Sequence, residues 1–133
     1  MARNRKKLEF EGEFRYNKKW NGKGYDENGN IIYELINGSG KVKEYEYGKL
    51  IFEGEYLNGK RNGNGKEYNY DGELKFEGEY LNGKRWNGKG KEYNNNGKLI
   101  FEGEYLKGKR NGKGKEYING NLEFEGEYLN NIK

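Results

Sequence analysis

The sequence predicts an all-β protein, an elongated single-layer solenoid of tandem antiparallel β-hairpins. Three observations predict it. A short phrase, Phe-Glu-Gly-Glu followed by an aromatic residue, occurs at Phe10–Phe14, Phe52–Tyr56, Phe76–Tyr80, Phe101–Tyr105 and Phe124–Tyr128. Around each copy, apolar and charged side chains alternate with a period of two, which is the period of a strand. The last four copies start 24, 25 and 23 residues apart, with Gly-rich segments between them. A fixed period of roughly 20–50 residues marks an array whose units are single supersecondary elements.

The elements follow in order. Residues 1–7 form a basic tail carrying Arg3, Arg5, Lys6 and Lys7, and the array occupies 8–133. The first unit starts at Phe10, and the next full phrase starts 42 residues later, at Phe52. A degenerate unit fills that interval: Ile31-Ile32-Tyr33-Glu34-Leu35, then Asn37-Gly38-Ser39-Gly40. Each unit continues through a Gly-rich turn into a second strand, at Lys41–Tyr45, Lys66–Tyr68, Lys91–Tyr93 and Lys115–Tyr117. Units are joined at Asn28-Gly29, Asp71-Gly72, Asn96-Gly97 and Asn119-Gly120, pairs that favour the positive φ angles of tight hairpin turns. The result is five units and a final half.

Alternation assigns the faces. Leu50, Phe52, Gly54 and Tyr56 share one face, and Ile51, Glu53, Glu55 and Leu57 share the other. The same division recurs in the later units, so one face stacks Leu, Phe and Tyr from hairpin to hairpin. The Gly between the two aromatics leaves room for rings from neighbouring strands. On the opposite face, Lys66, Lys91 and Lys115 are expected to interleave with the Glu rows and help set register. A lone hairpin is marginal in water, so the units must stack, giving a rod of roughly 50 Å at about 4.8 Å per strand.

Composition narrows the function. Hydrophobic residues are 31% and charged residues 36%, a balance typical of disorder, but 16% aromatic content and strict periodicity oppose it. Net charge is +4, and the four basic residues of the tail account for it, leaving the array neutral. There is no Cys, and no apolar run long enough for a membrane span or a leader, so a cytoplasmic location is expected, with peripheral attachment to a membrane left open. The chain has no His, Cys or Thr and one Ser, Ser39, which removes Ser-His and Cys-His nucleophile pairs and His- or Cys-ligated zinc. Carboxylate pairs such as Glu53/Glu55 and Glu77/Glu79 recur in every unit, whereas an active site is a singular constellation, so they read as a solvated face. The Gly-x-Gly-Lys turns at Gly38–Lys41, Gly63–Lys66, Gly88–Lys91 and Gly112–Lys115 lack the Ser or Thr of a phosphate loop. No catalytic residue, cofactor or metal site is expected.

The phrase Phe101-Glu-Gly-Glu-Tyr-Leu-Lys-Gly-Lys-Arg-Asn-Gly-Lys-Gly114 resembles the MORN (membrane occupation and recognition nexus) repeat: aromatic-x-Gly-x-aromatic, then Gly-Lys, then Gly-x-Gly. Phe52–Gly65 is equally similar, and Phe76–Gly90 and Phe10–Gly24 are similar with one added residue. Three departures stand out. The second aromatic is Tyr or Phe where that family has Trp, Asn62 and Asn111 stand where it has His, and the following aromatic comes one residue late, at Tyr68, Tyr93 and Tyr117. The late aromatic and the Asn-Gly-Lys-Leu connectors also resemble bacterial MORN-like antitoxin repeats. The resemblance implies a non-enzymatic scaffold that binds protein, with an antitoxin or an anionic phospholipid-binding module as alternatives, and with dimerisation through terminal repeats.

Candidate interaction residues follow. Trp20 and Trp86 occupy the same inserted position, and each either packs back over its turn or stands out as a partner anchor. Tyr56, Tyr80 and Tyr105 are aromatic-face candidates for partner binding, with a core role as the competing reading. Lys60, Arg61, Lys84, Arg85, Lys109 and Arg110 are expected along one basic edge, facing anionic lipid or another acidic partner. Nothing in the pattern reads nucleic-acid bases, so nucleic acid is not an expected partner. The last strand, with Leu122, Phe124, Tyr128 and Leu129, offers an edge for pairing with a second copy.

Overall fold

The computed structural model describes residues 9–133, and every regular element in it is a strand. The basic segment 1–7 and Leu8 lie outside the described residues. The strands are β1 (Phe10–Arg15), β2 (Lys18–Tyr25), β3 (Ile31–Leu35), β4 (Gly40–Glu46), β5 (Lys49–Leu57), β6 (Lys60–Tyr68), β7 (Leu74–Leu81), β8 (Lys84–Tyr93), β9 (Leu99–Leu106), β10 (Lys109–Ile118) and β11 (Asn121–Tyr128). Apart from β3 and β4, chain neighbours pair antiparallel, in a three-stranded sheet β1-β2-β3 and an open eight-stranded sheet running from β4 to β11.

The division falls inside the degenerate unit. Between β3 and β4 only an isolated bridge, Ile36 to Ser39, is formed. This hairpin passes from its Asn-Gly turn to Gly-x-Val (Gly40 to Val42) without the basic pair and Asn that open the other second strands, as at Lys18-Lys19-Trp20-Asn21 and Lys60-Arg61-Asn62. The turns themselves remain continuous across the break: Gly38 N–H donates to Trp20 O at 2.7 Å, and Gly59 N–H donates to Gly38 O at 2.9 Å.

The turn chemistry differs from the sequence expectation. Two-residue turns with both φ angles positive lie within the units, at Tyr16-Asn17, Asn37-Gly38, Asn58-Gly59, Asn82-Gly83 and Lys107-Gly108, and at the connector Tyr47-Gly48. Of the four connectors expected to be tight, only Asn119-Gly120 has this form. The other three are longer loops in which Gly29, Gly72 and Gly97 alone take positive φ. Their first residues close them: Asp26 Oδ1 accepts from the N–H of Asn28 and Asn30, Asn69 Oδ1 from Asp71 and Glu73, and Asn94 Oδ1 from Asn96 and Lys98. A side-chain acceptor at the loop start supplies the closure that a second left-handed residue would otherwise give.

The core is a file of interlocked rings. Phe52, Phe76 and Phe101 are fully buried, and Tyr80 and Tyr128 are nearly so. Ring contacts, edge-on except for the tilted first pair, link Tyr56, Phe52, Tyr80, Phe76, Tyr105, Phe101, Tyr128 and Phe124 in that order, with centroids 5.2–6.2 Å apart. Such pairs contribute beyond the area they bury. The glycine between the two aromatics meets backbone first, since a Cβ on Gly54 would stand 2.6 Å from Gly65 Cα; it is the cross-strand partner Gly65 that clears a neighbouring strand's ring, with a Cβ 2.7 Å from Phe52. A second cluster, Tyr33, Leu35 and Val42, fills the degenerate unit, and Tyr56 packs on both clusters.

The opposite face carries the expected charge files. Glu53, Lys66 and Glu77 face one another across β5, β6 and β7, and Glu102, Lys115 and Glu125 do so across β9, β10 and β11. Lys66 Nζ lies 3.7 Å from Glu77 and Lys115 Nζ lies 3.9 Å from Glu125, with all four side chains about half exposed. Water screens such pairs, so each is worth a few tenths of a kcal/mol and serves register more than stability.

Candidate functional site

The three arginines expected on a basic edge are instead folded down onto the core rings, with side chains 22–23% exposed. Antiparallel pairing sets Arg61 opposite Tyr56, Arg85 opposite Tyr80 and Arg110 opposite Tyr105. From there each guanidinium lies over the preceding ring, 4.2 Å above Phe52, 4.9 Å above Phe76 and 4.1 Å above Phe101. Each also grips a carboxylate of the previous hairpin with two N–H donors. Arg61 reaches both oxygens of Glu44 at 3.0 Å, Arg85 reaches Glu67 at 3.0 and 3.2 Å, and Arg110 reaches Glu92 at 3.1 and 2.8 Å. The same carboxylates accept the phenol O–H of Tyr56, Tyr80 (2.6 Å) and Tyr105 (2.5 Å). Phe, Tyr, Arg and Glu thus form one repeated knot.

This knot fixes the charge states. Burial alone would raise the Glu67 carboxyl, but Arg85 and Tyr80 hydrogen bonds hold it below the ordinary range, and Arg110 and Tyr105 do the same for Glu92. Burial, then the bond to a carboxylate, pushes the phenols of Tyr56, Tyr80 and Tyr105 well up, and that of Tyr128 up to about 12. The tyrosines offered as partner-binding residues are therefore engaged, with Tyr80 buried and Tyr56 and Tyr105 half-buried. The basic edge reduces to Lys60, Lys84 and Lys109, which are exposed.

The tryptophans are bulge residues. In β2 the ladder passes from Lys19 to Asn21 over Trp20, and in β8 from Arg85 to Asn87 over Trp86. Units without Trp carry a longer irregularity, from Arg61 to Gly65 and from Arg110 to Gly114, which Glu55 and Glu104 cap by accepting from the N–H of Asn64 and Lys113. Trp20 and Trp86 are half-buried. They pack forward onto the turn of the next hairpin: Gly108 N–H donates to Trp86 O at 2.7 Å, and a Cβ on Gly38 or Gly108 would stand 2.9 or 3.8 Å from the indole.

The Asn residues in the family's His position act between units. Asn62 Oδ1 accepts the turn N–H of Asn82 at 3.0 Å, and Asn111 accepts that of Asn130 at 3.2 Å. At the C-terminal edge, Leu122 and Leu129 are exposed, Phe124 is half-buried and Tyr128 is buried. Lys133 occupies the arginine position there, 3.3 Å from Glu116 and 5.3 Å from the Phe124 centroid.

Two surface features were not singled out in the sequence. Leu57, Leu81 and Leu106 are 40–49% exposed at the same place in successive units, each opposite an exposed lysine, in the pairs Leu57/Lys60, Leu81/Lys84 and Leu106/Lys109. Tyr47 and Tyr70 form an exposed ring pair on the connector side. Both were legible as positions but not as surface, because alternation assigns a face without saying which one is covered. Among the described residues, no group of three acidic side chains converges as a metal site.

Fold and knot together define a β-hairpin repeat array whose recurring side-chain chemistry holds units to one another. The MORN repeat profile matches residues 52–74, 76–98 and 101–122, just over half of the chain. The protein belongs to the MORN repeat family. No curated protein matches the chain.

Proposed function

We propose that this protein is a rigid, non-enzymatic scaffold that binds another protein along the turn side of the rod. The observation that carries this reading is the exposed row Leu57, Leu81 and Leu106 with its opposed lysines. The repeat has no structural use for a leucine there, because the core is complete on the other face. Recurring exposed apolar residues rimmed by charge mark an interaction surface. The test compares the native rod with a Leu57→Ser/Leu81→Ser/Leu106→Ser variant in capture from the source cell. A partner retained by the first and lost by the second, with unchanged circular dichroism, supports the reading. A partner retained equally by both sinks it.

Lys60, Lys84 and Lys109 beside those leucines favour a second reading, attachment to an anionic membrane. Sedimentation with phosphatidylserine vesicles that fails in high salt supports it, and equal binding to neutral vesicles counts against it. The exposed Leu122 of β11 and Leu129 just after it also suit pairing with a second copy. Light scattering that gives monomer mass for the native chain and for a Leu122→Lys/Leu129→Lys variant alike dismisses that assembly.

A further inference from the structure

A repeat protein shows its function most clearly where it leaves the repeat. The connector side of the rod does so at Tyr47 and Tyr70. The turn joining β4 to β5 is Tyr47-Gly48, whereas its counterpart joining β10 to β11 is Asn119-Gly120. Both first positions are left-handed, with φ 51° in each case. Asn tolerates that conformation, and a bulky aromatic does so at a cost. Tyr47 is nevertheless 91% exposed, so it gains no burial in return. Tyr70 stands at the tip of the β6–β7 loop, where the β8–β9 loop has Asn95, and is 52% exposed. The two rings meet at 6.1 Å with a 57° tilt.

Charge surrounds the pair unevenly. Tyr70 O–H donates to Glu46 Oε1 at 2.5 Å, which brings a carboxylate to the ring pair at its Tyr70 end. Asp71 follows Tyr70 in the loop, and the Glu27 carboxylate comes within 3.0 Å of where a Cβ on Gly48 would lie. Lys49 faces Glu46 across the hairpin. The corresponding β8–β9 loop, Asn94-Asn95-Asn96-Gly97-Lys98, has no carboxylate.

The molecule itself shows what such a set receives. Three times, a guanidinium lies between a ring and a Glu that also accepts a tyrosine O–H. Tyr16, the other left-handed turn tyrosine (φ 52°), meets Trp20 at 6.3 Å, and Arg15 stands 5.5 and 5.6 Å from the two rings. Among the described residues, no cation stands over Tyr47 or Tyr70. We propose that Tyr47, Tyr70 and Glu46 form a docking site for an arginine side chain of a basic partner peptide, held by the ring faces and the carboxylate. This surface is distinct from the leucine row, and the inference does not depend on it.

The test uses the full chain, labelled for nuclear magnetic resonance, and the peptide acetyl-Gly-Ser-Arg-Gly-Ser-Arg-Gly-amide. Two further peptides replace Arg by Lys or by citrulline, the neutral isostere. Shifts confined to residues 46–48 and 70–72, with affinity at least tenfold weaker for citrulline, are expected. Tyr47→Asn/Tyr70→Asn restores residues that the other units use, so it keeps the fold, and it should lower arginine-peptide affinity at least tenfold. Equal affinity for citrulline, an unaffected Asn variant, or shifts spread over Glu77, Glu102 and Glu125 would overturn the site.

Discussion

Replacing Arg85 by Ala tests whether the knot holds successive hairpins together. Arg85 donates two N–H bonds to Glu67 and lies over Phe76, with both partners of the ion pair mostly shielded from water, at 22% and 16% exposure. Charge-assisted hydrogen bonds are worth about 1.5–3 kcal/mol, and breaking a buried pair costs about 3–5 kcal/mol because the remaining charge is stranded. Glu67 would not be wholly stranded. Tyr80 still donates to it at 2.6 Å, and Arg61 remains 3.8 Å away. The expected loss is therefore about 2–3 kcal/mol, the lower part of the combined range. For a urea slope of about 2 kcal/mol/M, the unfolding midpoint falls by roughly 1 M. Urea titration followed by circular dichroism measures it. Lys84→Ala, one residue away on an exposed chain, should cost less than about 0.5 kcal/mol. Arg85→Lys should recover little, because an ammonium cannot span both carboxylate oxygens. If Arg85→Ala and Lys84→Ala are equally mild, or if Arg85→Lys restores the midpoint, the knot does not carry the stability assigned to it.

Three further outcomes follow from the same geometry. The spine phenols have folded values above the ordinary 10, so the unfolded chain ionises first, and stability present below pH 10 is lost as pH rises toward and through about 12 for Tyr128 and beyond for Tyr80; melting temperature should fall steeply from pH 10 upward, and Tyr80→Phe should flatten the fall. Gly65→Ala forces a methyl against the fully buried Phe52 ring and should cost about 3 kcal/mol, the upper end for overpacking, so a urea midpoint matching that of the native protein would refute the clearance argument. Tyr47→Asn alone relieves a left-handed aromatic and should raise stability by about 1 kcal/mol, read as a higher urea midpoint.

The strands and the ring file were legible because a two-residue period and a repeated Phe-x-Gly-x-Tyr phrase leave few alternatives. Arg85 was read as half of a Lys-Arg charge pair because composition places adjacent basic residues at a surface. Its true position depends on cross-strand register, which sets it opposite Tyr80 and over Phe76, and a single chain read linearly does not give register. A sequence signal did exist: the Arg after Gly-Lys (Arg61, Arg85, Arg110) and the Glu after Gly-x-Gly-Lys (Glu67, Glu92, Glu116) recur together in the three units that start at Phe52, Phe76 and Phe101, as a bonded pair must. The connectors misled because Asn-Gly is common to a tight turn and to the end of a longer loop, and the distinguishing residue is Asp26, Asn69 or Asn94 several positions earlier. Trp20 and Trp86 were correctly aligned as insertions. That an insertion becomes a bulge whose indole covers the next turn depends on the stacking distance between hairpins.

The knot also gives the rod a grammar. Its Glu belongs to the second strand of one hairpin and its Arg to the second strand of the next, 17 or 18 residues later. At these three joints a unit is not finished by its own residues, since it is closed by its successor. A duplication or excision of one whole period therefore rejoins matching halves wherever the cut is made, while any other length leaves a carboxylate facing the wrong side chain. Such a chain changes length in whole steps, and a lineage carrying it can lengthen or shorten its reach without inventing a new contact.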